Sequence, residues 1–167
     1  MDKTGAAASK VPTRLQFPRP ASLNDAPGGV ILLPIMETPP GVPSILIVDD
    51  DEAVTQTFAR MLELEGYAVR TAGSAENGLR QAREYLPDAI ILDLRMPLMD
   101  GLGFLRRLRA CAGQETTPVA IVTGDYFLED NVSAELRQLG AELKFKPMWL
   151  EDLVGLARNL MRYKVTH

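Results

Sequence analysis

Three short aliphatic runs stop abruptly at a carboxylate or a hydroxyl: Ile45-Leu46-Ile47-Val48 before Asp49, Ala89-Ile90-Ile91-Leu92 before Asp93, and Val119-Ala120-Ile121-Val122 before Thr123. Four apolar residues in a row, with no polar alternation, need cover on both faces. That is the pattern of parallel strands clothed by helices. Tyr67 to Thr71 reads as a second strand, and Glu142 to Phe145 as a short fifth that ends at Lys146-Pro147.

The segments between the runs carry apolar residues at helical spacing. Val54, Phe58, Met61 and Leu62 share one face of a first helix stopped by Gly66; Ala75, Leu79, Ala82 and Leu86 line a second, before Pro87. Leu102, Leu105 and Leu108 mark a third, and Val132, Leu136 and Leu139 a fourth closed by Gly140. Leu150, Leu153, Val154, Ala157, Leu160 and Met161 line the last. Five strand–helix units predict an α/β domain, a five-stranded parallel sheet with helices on both faces.

In such sheets ligands bind beyond the carboxyl ends of the strands, where strand order reverses. The residues at those ends are Asp49, Asp50 and Asp51, then Asp93, then Thr123, then Lys146. Clustered carboxylates repel unless a cation intervenes, and an all-oxygen ligand set with open positions suits Mg²⁺. An ammonium and a hydroxyl opposite such a cation can stabilise a phosphoryl group in transfer. Each acid taken alone has a second reading as a helix N-cap, and Asp51 is read as one.

The segments Ile45 to Asp51 (ILIVDDD), Asp93 to Gly101 (DLRMPLMDG), Thr123-Gly124 and Lys146-Pro147 resemble the receiver domains of response regulators in bacterial two-component systems. The resemblance covers about residues 44–165 and implies the CheY-like (βα)5 fold, strand order 2-1-3-4-5. It implies Asp93 as phosphoacceptor, Asp50 as a direct Mg²⁺ ligand, Asp49 acting mainly through a bound water, and the backbone carbonyl of Arg95 as a further ligand. Thr123 would bond the phosphoryl group, Lys146 would pair with it, and Pro147 would follow a cis peptide bond. The implied partner is a sensor histidine kinase or a histidine phosphotransfer protein, with an unidentified downstream target; a phosphorylation-dependent homodimer is compatible with this.

Two features depart from the family pattern. The strand-five position three residues before the lysine, usually Tyr or Phe, is Leu143, and the interval from Gly140 to Lys146 is one residue short. Phe145 is the candidate substitute, with ordinary packing as its alternative. Arg95 and Asp125, two residues past Asp93 and Thr123, read either as an ion pair over the mouth of the site or as two solvated charges. Trp149, opening the last helix, reads as core, with a partner-contact anchor as the alternative.

Eight of the 12 prolines lie before residue 44, so residues 1–43 read as a Pro-rich arm or linker, its apolar run at residues 30–36 too short and broken to span a bilayer. No secretory leader is evident, and a cytoplasmic protein is expected. Four of the 18 cations and three of the 22 acids fall in that arm, which leaves 14 cations against 19 acids. That balance argues against direct nucleic-acid binding. Cys111, the lone cysteine, reads as packing, and His167, the lone histidine, as a terminal side chain.

The expected function is therefore signalling by phosphorylation and protein contact rather than enzyme catalysis. A receiver module from a hybrid histidine kinase is the nearer alternative. A phosphatase with an aspartyl nucleophile and a DxD motif after the first strand is the remoter one.

Overall fold

The computed structural model describes residues 41–165; most of the expected arm, its apolar run at residues 30–36, and His167 lie outside the described residues. The elements alternate as expected: β1 (Ser44–Val48), α1 (Glu52–Leu64), β2 (Ala68–Ala72), α2 (Ala75–Tyr85), β3 (Ala89–Leu92), α3 (Gly101–Arg109), β4 (Val119–Thr123), α4 (Asp130–Gln138), β5 (Ala141–Phe145) and α5 (Leu150–Val165). The strands form one parallel sheet in the order β2-β1-β3-β4-β5.

The pleat divides each aliphatic run between two cores. Leu46, Val48, Ile90, Leu92 and Ile121 pack with Leu79, Phe104, Leu105, Leu108 and Leu136 from α2, α3 and α4. Ile45, Ile47, Ile91, Ala120 and Val122 pack on the other face with Phe58, Leu62, Leu153, Leu156 and Leu160 from α1 and α5. Burying an aliphatic side chain of this size contributes roughly 1.5–3 kcal/mol. The central strands, covered on both faces, therefore anchor the sheet, and a one-residue slip would exchange the side chains of the two cores and draw a strand-end polar residue such as Asp49 into one of them.

Local chemistry sets the element ends. Asp51 caps α1 by accepting N–H bonds from Ala53 (2.9 Å) and Val54 (3.2 Å), as its position predicts. Asp100 caps α3 through the Gly103 N–H at 2.8 Å. The second strand begins one residue later than the sequence suggests. Gly66 turns the chain at φ +90°, and the Tyr67 N–H still bonds back to Leu62 at 3.1 Å, so pairing starts at Ala68. The fifth strand likewise starts one residue early, at Ala141.

Three side chains depart from their expected packing. Leu86 closes α2 in a left-handed conformation and is exposed rather than on the helix's buried face. Leu150, at the first position of α5, is also exposed. Trp149 is 70% exposed and not core. It precedes α5, its N–H faces the Asp152 carboxylate at 3.4 Å, and its carbonyl accepts the Leu153 N–H. It stands at the cap of the helix, one residue before the periodic buried face begins.

Candidate functional site

Strand order reverses between β1 and β3, and the polar strand ends converge there. Asp49, Asp50 and Asp93 each present a carboxylate oxygen within 4.8 Å of the other two. Asp49 and Asp93 are buried, whereas Asp50 faces solvent. Three strand ends share one local device, in which the side chain turns back to accept the N–H two residues on: Asp51 to Asp49 Oδ1 at 2.9 Å, Arg95 to Asp93 Oδ2 at 2.6 Å, and Asp125 to Thr123 Oγ1 at 3.1 Å. That turn holds each functional atom at the crevice while the chain leaves the sheet.

Lys146, one residue past β5, reaches across. Its ammonium donates to Asp49 Oδ2 at 2.6 Å and to Asp93 Oδ1 at 2.9 Å. Burial raises the Asp93 pKa, and the Lys146 hydrogen bond and charge pull it back only in part. Burial alone would lower the Lys146 pKa, but hydrogen bonds and charge from Asp49 and Asp93 together push it up. One ammonium thus serves two buried carboxylates with a third nearby. The deficit of positive charge is what a divalent cation would relieve, and the all-oxygen donors suit a hard ion.

The loop after β3 is held close to the site by a glycine. A Cβ at Gly101 would stand 2.6 Å from the Asp93 carbonyl oxygen and 2.9 Å from the Leu94 Cα. The Gly101 N–H bonds the Leu94 carbonyl at 2.8 Å. No residue with a side chain lets α3 start so near the end of β3. This explains the last residue of the DLRMPLMDG segment, whose structural reason the sequence alone did not disclose.

Thr123 is fully buried beside the cluster, Gly124 is exposed, and the Lys146–Pro147 peptide is cis. Arg95 and Asp125 form an ion pair, with the Arg95 Nε donating to Asp125 Oδ2 at 2.8 Å. Each shifts the other toward its charged form, raising the Arg95 pKa and lowering that of Asp125. Leu143 packs with the core on the α2, α3 and α4 side. Phe145 is 41% exposed and stacks on Tyr126, ring centroids 5.3 Å apart and planes 14° from parallel. Tyr126, which the sequence reading passed over, also donates its hydroxyl to the Lys146 carbonyl. Cys111 is half-buried, with its Sγ 3.2 Å from the Arg107 carbonyl. Among the described residues no helix is long and apolar enough to cross a membrane.

Residues 45–157 match the family described as the response regulator receiver domain. The chain is 36% identical over 127 residues to the transcriptional regulatory protein PrrA of Mycobacterium leprae, covering 76% of this chain and 53% of that protein. It is 36% identical over 121 residues to the response regulator MprA of the same organism, covering 71% and 50%. The chain thus spans about half the length of these curated relatives. Among solved structures, a CheY-like receiver domain protein from Methanospirillum hungatei aligns with TM-score 0.69 at 26% identity, over 74% of this chain and 97% of that one. The chemotaxis protein CheY4 of Vibrio cholerae aligns with TM-score 0.66 at 28% identity, over 71% and 98%. The fold, the acidic crevice and these matches agree: the chain belongs to the response regulator receiver domains of two-component systems.

Proposed function

We propose that residues 44–165 are a phosphoacceptor receiver, that Asp93 takes a phosphoryl group from the phosphohistidine of a sensor kinase or histidine phosphotransfer protein, and that residues 1–43 are an arm or linker. The observation that carries this reading is the Lys146 ammonium bonded at once to Asp49 and Asp93 within a cluster of three carboxylates. In transfer, an Asp93 carboxylate oxygen bonds to phosphorus, the P–N bond to the donor imidazole breaks, and that imidazole takes up a proton. Lys146 offsets charge on the phosphoryl oxygens, and Thr123, whose oxygen accepts the Asp125 N–H, donates its hydroxyl proton to one of them.

Asp50, Asp49, Asp93 and the Arg95 carbonyl would hold Mg²⁺, which supplies Lewis-acid neutralisation of the charge that gathers in transfer. Gly124 and Pro147 directly follow Thr123 and Lys146 at the rim of the site. The Arg95–Asp125 pair stands beside these groups and restricts water's approach to the acyl phosphate. In keeping with this reading, Asp51 commits its carboxylate to the N-terminus of α1. A phosphatase would need that residue as a general acid. Signalling then proceeds by contact with a downstream protein in the cytoplasm.

Incubation with acetyl phosphate and Mg²⁺ followed by intact mass tests the proposal. One added phosphoryl group is expected on the native chain and none on Asp93→Asn. A folded, Mg²⁺-binding protein that gains no group would overturn it.

A further inference from the structure

Position 143 holds an aliphatic residue packed into the core, yet an aromatic pair stands at the end of the same strand. Tyr126 leaves the loop after β4 and meets the last residues of β5 twice: its ring stacks on Phe145 and its hydroxyl donates to the Lys146 carbonyl. The Lys146 N–H in turn bonds the Thr123 carbonyl at 2.8 Å. Among the described residues the β4–β5 pairing ends at Thr123 and Phe145, so the Lys146 carbonyl lies past the end of the ladder. Tyr126 supplies a restraint there.

The base of Tyr126 is itself tied to the site. The preceding residue, Asp125, donates its N–H to Thr123 Oγ1, and its carboxylate accepts from the Arg95 guanidinium and from the Phe127 N–H at 3.0 Å. Arg95 in turn donates its backbone N–H to Asp93. A continuous set of bonds therefore runs from Asp93 and Thr123 through residue 125 to Tyr126, and back to the backbone of the lysine that faces Asp93.

We infer that Tyr126 is a positioning residue for Lys146, a clamp that holds the β5 end so that the ammonium meets the carboxylate cluster and serves phosphoryl transfer there. The service to transfer rests on the phosphoacceptor reading above; the clamp itself does not. A lysine whose backbone lies past the ladder and lacks this restraint would sample several positions, and a misplacement of about 1 Å at a charge-stabilising group can cost on the order of a hundredfold in rate.

The test uses the full chain with Tyr126→Phe, which keeps the ring and loses the hydroxyl, and Tyr126→Leu, which loses both. Acylation of Lys146 by a soluble acetylating reagent, read by peptide mass mapping against Lys144, reports the clamp without any phosphotransfer. Labelling of Lys146 is expected to rise about threefold in Tyr126→Phe and more in Tyr126→Leu, with Mg²⁺ affinity not reduced, because the carboxylates are intact and a loosened ammonium competes less for them. The rate of phosphorylation by acetyl phosphate is expected to fall about fivefold in Tyr126→Phe at saturating Mg²⁺. Equal labelling in all three proteins overturns the clamp. Raised labelling with no adduct on the native chain upholds the clamp and overturns the phosphoacceptor reading. Equal phosphorylation rates despite raised labelling show that the restraint does not serve transfer, which overturns the positioning role. A loss of Mg²⁺ affinity parallel to the rate would mark a merely structural defect and also overturn it.

Discussion

Two partly buried cations stand at opposite ends of the sheet, and their surroundings differ in kind. At the amino end, Arg109 at the close of α3 donates to three neutral carbonyls, those of Leu139 (2.9 Å), Gln114 (3.1 Å) and Thr117 (2.8 Å). The Gln114 side chain is buried and accepts the Thr117 hydroxyl at 2.8 Å. Burial lowers the Arg109 pKa, but a guanidinium starts so high that it remains charged. At the carboxyl end, Lys146 meets two carboxylates with a third beside them. The first arrangement satisfies every group it touches and joins α3 to the segments entering β4 and β5. The second leaves excess negative charge that the folded chain alone does not neutralise. A satisfied cation is a fastener, whereas an overcommitted one marks a place where a ligand completes the balance.

The contrast predicts opposite signs for substitutions at the two ends. Arg109→Ala should destabilise most, by about 3 kcal/mol in urea titration, because three carbonyls lose a charged donor at once. Arg109→Lys should recover only a minor part, since an ammonium cannot reproduce the fork. Gly101→Ala should cost about 2 kcal/mol, since its Cβ meets backbone rather than a movable side chain; a neutral result would show that α3 can withdraw from β3.

Asp93→Asn should act the other way. Without divalent cation it should raise the melting temperature, because burial penalises the native carboxylate. Saturating Mg²⁺ should erase or reverse that advantage, since only the native protein gains the full binding energy. Thermal melts with and without Mg²⁺ decide this. A destabilised Asp93→Asn in the absence of metal would mean that the two ends are not different in kind.

The smallest effect belongs to Arg106 and Glu135, an exposed pair joined at 2.6 and 2.7 Å between α3 and α4. The hydrogen bond from Arg106 lowers the Glu135 pKa. Any stabilisation is therefore present above the ordinary Glu value and lost as pH falls through the lowered one. Glu135→Gln should shift the melting temperature barely at all, and less at high salt. A clear loss there would place a surface pair on a par with the buried fasteners.

The β5 end shows where sequence reading stops. Leu143 and the shortened interval before Lys146 raise the question of what replaces the usual aromatic, and the sequence leaves Phe145 open between ordinary packing and a substitute. Its partner, Tyr126, lies 19 residues earlier in the chain, and no local pattern connects them. Trp149 illustrates the converse error. Its neighbours set a strong amphipathic period, but the residue itself sits before the first turn, so the period does not govern where its ring goes.

The sequence by itself determined the order of strands and helices, the two-faced burial of the aliphatic runs and the set of strand-end groups. Each of those follows from local periodicity and from the chemistry of a few adjacent residues. Only the tertiary structure decided that Lys146 is shared between Asp49 and Asp93, that Gly101 must lack a side chain, that Arg109 fastens the foot of the sheet, and that Tyr126 holds the end of β5. All four depend on contacts between segments distant in the chain, and distance in three dimensions is set by how the two cores pack rather than by any spacing along the chain.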